Sequence, residues 1–488
     1  MKECTRAQAE RLGQAIRFRT ITLISEHPSA EPGYAPFAEL MAFLRTAFPR
    51  TSQALQWEQV GDLALLLTWA PGDVNAPAAP PDPPTALLFY AHFDVVPPGD
   101  ESAWTHGAFS GDVADGFIWG RGALDDKNCL MGILEAVEEL LAEGARPPVT
   151  IHIAFGGDEE TTGALGAQRI ADVLAARGVR LSCVLDEGSA ISEGILPIVK
   201  RPIAMIGIAE KGFANVEVIV RGKAGHSSMP GRGTAAGALS AIIAGMERRR
   251  FPVRLTPTAA GFFRAIAPWV PGLRGLALRL VRPLWPFLGA ALAANPSVDA
   301  MVRTTQAVTI LRAGEKENVL PAEARAVVNM RLLPGDTTAG VLRRIEPIAR
   351  RLLPARFTLE VRLLPGTIAS DPVPERRPRS ELWALVCDAV RAVEPRALVA
   401  PILVVVYTDS RKFAHLAECI IRLHPVVLTA DELGRIHSRD ERISLENYSR
   451  MIAFYAHLMR GGPAAAGTAA GKSAGGPTAR AAKGKQGA

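Results

Sequence analysis

The stretch ALLFYAHFD, residues 86–94, decides the fold. It is a short apolar run, uncharged until it reaches His92 and Asp94. Such a run reads as a strand buried on both faces, which requires helices on each side of a sheet. Four further runs, 149–155, 181–185, 402–406 and 419–423, have the same character, and each is followed by polar residues. Between the first two, Leu130, Ile133, Leu134, Val137, Leu140 and Leu141 fall at helical spacing, and Gly144 is placed to stop that helix. Residues 5–18 open the chain as another helix through Ala9, Leu12 and Ile16. Strands alternating with helices predict an α/β sheet covered on both faces.

The middle of the chain differs. Strands are expected at 214–221, 307–312, 324–332 and 357–363, with helices at 234–248 and 337–352. That β-α-β-β-α-β order is the signature of a ferredoxin-like α+β domain. The predicted organisation is a larger α/β domain in two parts, 1–211 and 366–462, with a lid of residues 212–365 inserted between them. The Pro/Ala-rich stretch 71–84 is expected to be a loop. Residues 463–488, rich in Gly, Ala and Lys and without an aromatic, are expected to be disordered.

Residues 260–294 interrupt the lid with Phe262, Phe263, Trp269, Trp285 and Phe287 among many Leu and Ala. Pro268, Pro271, Pro283 and Pro286 break this stretch, and four arginines punctuate it, so it does not read as a membrane span. Helices packed on the lid are the preferred reading. A wall for a greasy substrate, or a surface that touches membrane, is the alternative.

The chemistry lies where acids and histidines fall, because α/β sheets build their sites outside the carboxyl ends of strands. The first strand ends in His92, and Asp94 points to the same side. A carboxylate there could hold the second ring nitrogen of a metal-bound histidine. The string WGRGALDD then brings Asp125 and Asp126 to a helix start, where capping is the ordinary role of an acid. Asp158, Glu159 and Glu160 follow the next strand and repel one another unless solvated or neutralised by cations. Adjacent acids also allow one to bind metal while its neighbour takes a proton. Asp186 and Glu187 end a further strand, and His437 stands before the last helix. Nitrogen and oxygen donors without cysteine suit zinc, cobalt or manganese in a hydrolytic site.

The strings YAHFDVVP, IWGRGALDDK, GGDEETTG, LDEG, GKAGHSSMP and IHSRDERI resemble the aminoacylase, carboxypeptidase S and succinyl-diaminopimelate desuccinylase family of metallopeptidases. The resemblance runs from the first helix to about residue 460. With its apolar insert, the chain looks most similar to carboxypeptidase S and the N-fatty-acyl-amino-acid hydrolases. The resemblance implies a zinc-peptidase-like catalytic domain with a covered mixed sheet, and a lid that also dimerises. It implies two zinc ions, one on His92 and Glu187 and one on Glu160 and His437, bridged by Asp125. Asp94 would support His92, and Glu159 would be the general base. His226 would stabilise an oxyanion, often from across a dimer. Asn318 and Arg331 would bind substrate, the arginine by gripping a free carboxylate. Asp409 and Arg411, in YTDSRKF, match a motif near the family's site, although Val406 and Tyr407 replace its usual glycines. The implied substrate is a small peptide or an N-acyl amino acid, and the implied reaction is amide hydrolysis. A binding or dimerisation protein that kept the fold without activity, or a membrane-surface protein using residues 260–294, is the competing reading. Ser227 and Ser228 do not form a GxSxG elbow, so a serine hydrolase is a poor reading.

Bulk composition is that of a large globular protein. The chain has 488 residues, 48% hydrophobic and 21% charged. Of the net charge of +6, Lys472, Arg480, Lys483 and Lys485 of the tail supply four, so a nucleic-acid partner gains no support. Five cysteines without CxxC spacing favour a reducing compartment, and the N-terminus lacks a signal-peptide apolar core; cytoplasmic is the expected location.

Overall fold

The computed structural model describes residues 2–71, 86–196 and 198–469. From residue 72 on, the expected loop lies outside these, as does the tail from residue 470. The final helix, Leu445–Ala469, continues past residue 462, where the sequence reading ended order.

An eight-stranded mixed sheet forms the centre. Its strand order is Gln56–Gln59, Ala64–Trp69, Ile151–Gly156, Ala86–His92, Leu181–Ser192, Ala417–Leu428, Ile203–Glu210 and Leu398–Val404. The Ala86–His92 strand runs parallel to both of its neighbours. Its alternation explains its continuous apolar sequence. Leu87, Phe89 and Ala91 enter the core shared with helices Lys127–Ala142 and Leu445–Ala469, while Leu88 and Tyr90 enter the core under helix Ala167–Ala176. Both faces are dry, and the one hydroxyl before His92, that of Tyr90, is satisfied by Asp409. Truncating the fully buried Phe89 to Ala would cost about 3–5 kcal/mol. The opening helix, Arg6–Arg17, is fixed by a capping box between Thr5 and Gln8.

The acids after residue 185 do not end their strand. Leu181–Ser192 passes through Asp186 and Glu187, and its register with Ala417–Leu428 slips between Arg422 and His424. The strand expected at 402–406 is instead Leu398–Val404, and Val405 and Val406 leave the sheet with partly exposed side chains.

A second sheet has the antiparallel order Thr305–Ala313, Glu323–Leu332, Gly212–Arg221, Thr358–Leu363. Helices Ala235–Arg248 and Thr338–Leu352 cover one face around Val216, Val218, Leu239, Ile242, Val328 and Ile345. This is the ferredoxin-like arrangement the sequence predicts. The other face carries an ion-pair ladder in which Glu217 meets Arg325 and Arg362.

The apolar insert is helical, as expected, but its main support is not the lid. Helices Pro257–Ile266, Leu273–Arg279, Val281–Leu292 and Pro296–Val302 build a core with Val199, Ile203, Leu398 and Ala400. They cover the edge of the large sheet. The reason is that Leu398–Val404 is an edge strand whose apolar side chains would otherwise face water.

Candidate active site

Four chain segments converge at the carboxyl ends of the central strands. Asp125 stands between two histidines: His92 Nε2 lies 2.9 Å from its Oδ1, and His437 Nε2 lies 2.9 Å from its Oδ2. His437 Nε2 is also 3.1 Å from Glu160 Oε1. The far nitrogen of His92, Nδ1, faces the Asp94 carbonyl oxygen at 3.0 Å and its Oδ1 at 3.4 Å. The Asp125–Asp126 peptide is cis. His437 has a left-handed backbone, φ 60°, which a non-glycine residue holds only under local constraint.

The three consecutive acids take separate roles. Asp158 turns its carboxylate to the backbone, accepting from Leu165 N at 2.8 Å and Gly166 N at 2.7 Å. The Asp94 carboxylate accepts from the amides of Glu159 and Glu160, both at 3.1 Å, and so aims that pair at the site. Gly163 closes the turn at φ +61°, and a Cβ there would strike the Asp409 carboxylate. Asp186 is likewise engaged by the Ser410 and Glu187 amides, while Glu187 lines the cavity.

Electrostatics follow from so many acids in a dry place. Burial pushes Glu159 well above the usual carboxylate range; His92 opposes this, and the charges of Asp409, Glu187 and Glu160 add to it. Burial also raises Glu187, with Asp125 and Asp126 adding. Burial opposes ionisation of Asp125 too, yet hydrogen bonds from His437 and His92 outweigh it and hold Asp125 low. The Asp125 and Glu160 carboxylates raise His437 to about 10. The two imidazoles are in direct contact with the Asp125 and Glu160 carboxylates. His92, Asp125 and Glu160 each offer a ligand atom within 4.8 Å of the others. A converging set of imidazole nitrogens and carboxylate oxygens, one carboxylate facing both histidines, fits a pair of divalent cations.

A cavity of about 530 Å3 opens over this cluster, with Asp125, Glu159, Glu160, Glu187 and His437 on its floor. Arg331 enters the same cavity from the lid, its guanidinium 4.7 Å from the Phe213 ring centre. His226 and Asn318 do not line it. They sit together on a separate ribbon of the lid, where His226 pairs with Val319 and the Ser227 amide donates to the Asn318 carbonyl oxygen at 3.0 Å. His226 is exposed, with Nδ1 2.8 Å from the Ser228 hydroxyl. The Asn318 Oδ1 is buried without a hydrogen-bond partner among the described residues.

Two supporting groups escape the sequence reading. Glu441 is fully buried, and one of its oxygens accepts from the amides of Gly122, Leu124 and Asp125 at 3.0, 2.8 and 3.1 Å; the other meets Arg121. It therefore fixes the loop that carries Asp125. Glu210 pairs with Arg411 at 2.8 Å and with Arg422 at 2.7 Å, and Arg422 Nε donates to the Thr408 hydroxyl at 3.0 Å. This buried cluster braces the Thr408–Arg411 turn, whose Asp409 accepts from the Tyr90 hydroxyl at 2.6 Å. Glu441 lies inside the quoted IHSRDERI string, four residues after His437. Its position was a signal, but the run of charge resembles a solvated turn.

The family model described as peptidase family M20/M25/M40 matches residues 88–461, and this chain belongs to that family. It is a metal-dependent hydrolase of the metallopeptidase class. An N-fatty-acyl-amino acid synthase/hydrolase of Danio rerio is 36% identical over 430 residues, covering 86% of this chain and 80% of that protein. Carboxypeptidase S of Saccharomyces cerevisiae is 29% identical over 497 residues, covering 91% and 82%. Among solved structures, an M20 family metallo-carboxypeptidase from Sulfolobus solfataricus superposes with TM-score 0.64 at 17% identity, covering 93% of this chain and 98% of that one.

Proposed function

We propose that this protein uses two divalent cations, zinc or else cobalt or manganese, to hydrolyse the amide of an N-acyl amino acid or of a peptide C-terminus. The observation that carries the reading is one cavity that holds Asp125 between His92 and His437, Glu159 beside them, and Arg331 opposite. His92 and Glu187 would hold one cation, Glu160 and His437 the other, and Asp125 both. When bound, the cations supply Lewis-acid polarisation of a water and of the scissile carbonyl.

The chain's own residues do the rest. Arg331 grips the substrate carboxylate with its planar fork and fixes which amide reaches the floor of the cavity. Glu159, aimed by the hydrogen bond its backbone N–H donates to the Asp94 carboxylate, takes a proton from the attacking water. The same carboxyl then returns that proton to the departing amine. Glu159's burial beside other carboxylates suits a group that must be both base and acid. Much of the remaining wall is apolar, with Phe213, Ile368, Val406, Leu428, Leu433 and Ile436, which supports a hydrophobic acyl or side chain in the substrate. The ribbon with His226 and Asn318 would complete the site from a second copy, and His226 would donate to the oxyanion. The edge strand Thr305–Ala313, which exposes Ile310 and Leu311, is consistent with such a homodimer through the lid.

A substrate panel tests the reading. N-acyl amino acids of increasing acyl length and C-terminally free or amidated peptides are assayed with zinc, cobalt and manganese. Hydrolysis that needs a free carboxylate and a metal, and that improves with acyl length, is expected. Equal rates on carboxylate and amide substrates would remove Arg331 from its role, and no hydrolysis under any metal would remove the activity.

A further inference from the structure

The insert has an outward face that its inner packing does not explain. Helix Leu273–Arg279 sits against the protein through Gly275, where a Cβ would lie 2.2 Å from the Val270 carbonyl oxygen. That contact turns Leu273, Leu276 and the following Leu280 to solvent on one side. Leu273 is 83% exposed, and Phe287, on helix Val281–Leu292, is 80% exposed. At 100° per residue, Arg274 and Arg279 flank the leucine stripe on its two sides.

The charge of this face is one-sided. Residues 255–298 contain Arg264, Arg274, Arg279 and Arg282, with no Asp, Glu or Lys. All four arginines are exposed, and none pairs with a carboxylate among the described residues. Among the described residues no helix is long and apolar enough to cross a membrane. Apolar side chains rimmed by unpaired arginines match the composition of an interface between acyl chains and anionic headgroups, where the arginine stems lie on the apolar layer and their heads reach phosphate. A second copy of the same face would oppose arginine to arginine, so self-association through it is disfavoured.

We infer that residues 264–287 form a docking face for an anionic lipid surface. The face is tied to the cavity through the strand Leu398–Val404: the insert packs on this strand, and the chain leaving it reaches Val406 and Tyr407 in the cavity wall. The value of docking for an apolar substrate rests on the proposed function. Docking itself does not.

The test is vesicle flotation of the metal-loaded full chain, without substrate. Vesicles are phosphatidylcholine alone or phosphatidylcholine with phosphatidylglycerol. The wild type is expected to float with the anionic vesicles and to be released by salt. Each arginine contributes about fivefold in partitioning near an anionic surface, so Arg274→Gln, Arg279→Gln and Arg282→Gln together should weaken it about a hundredfold. Leu273→Ser with Phe287→Ser should likewise weaken binding to the anionic vesicles. Thermal melting of each variant checks that it folds, which residues this exposed should not disturb. A wild type that stays unbound with anionic vesicles, or folded variants that float as it does, would overturn the inference. So would a change of oligomeric state in Leu273→Ser with Phe287→Ser by sedimentation, which would give the face to a second copy.

Discussion

Replacing Glu441 by Gln should separate support of the site from its chemistry. The side chain keeps its size but loses its charge. Its oxygen can still accept from Gly122, Leu124 and Asp125, which leaves the new NH2 pointing at Arg121. Arg121 is 1% exposed, so it becomes a buried cation facing a donor. Breaking a buried pair in this way costs about 3–5 kcal/mol. The Asp125 loop also loses the charge-assisted part of the three hydrogen bonds its amides donate, and loss of such outer support typically weakens metal binding about 10–100-fold. Urea unfolding of the metal-free protein reads the first effect, and calorimetric metal titration reads the second. Adding Arg121→Met should recover much of the stability, because no charge is then stranded, but not the metal affinity. A Glu441→Gln protein within about 0.5 kcal/mol of wild type, a change typical of unconstrained surface sites, would refute the reasoning.

Other outcomes follow from the same geometry. Arg331→Gln should lower kcat/KM on carboxylate substrates about 10–100-fold, from the 1.5–3 kcal/mol of charged hydrogen bonds, and Arg331→Lys should restore only part of it; steady-state kinetics decides. His152 hydrogen-bonds Thr68 at 3.1 Å, and burial, with a smaller push from Arg177, lowers it to about 4. Its folded value lies below its unfolded one, so the unfolded chain binds the extra proton between them. Stability is full above the unfolded value near 6.5 and falls by about 3 kcal/mol as the pH drops to 4, a slope that His152→Gln should lack in denaturant melts of metal-free protein. If His226 acts across a dimer, mixing His226→Ala with Glu159→Gln chains should restore roughly a quarter of wild-type activity, since half the dimers then carry one complete site. No recovery on mixing would place His226 in its own chain's site or outside catalysis.

The sheet was legible because dry strands must be apolar throughout. ALLFYA has a core on each face and carries one polar group, the Tyr90 hydroxyl that Asp409 satisfies, so the first ionisable positions after it marked the strand's carboxyl end. The lid was legible because its two helices follow the amphipathic period and its strands lie between them in a single order. The end of the Leu181–Ser192 strand was not, because polar residues at 186 and 187 look like a turn, while pairing with Ala417–Leu428 and Ile203–Glu210 keeps the backbone extended. Nor was the seat of the insert: its apolar residues called for a surface, and only the topology, which leaves Leu398–Val404 at an edge, says which surface. Partners distant in sequence were the hardest. Glu441 serves a loop 316 residues away at Asp125, and Glu210 meets Arg422 across two adjacent strands. Local pattern carries no record of such pairs. His226 and Asn318 were named by resemblance alone, and within one chain they lie apart from the cavity.

The central claim is a two-cation site in which Glu159 moves the proton and does not hold the metal. Elemental analysis of purified, metal-reloaded Glu159→Gln, with its turnover on the best substrate, tests this most directly. Two cations per chain, as in the wild type, are expected, with kcat reduced about a hundred- to ten-thousandfold, the range of a lost general base. A variant that turned over at the wild-type rate, or a reloaded wild type that held no second cation, would contradict the account.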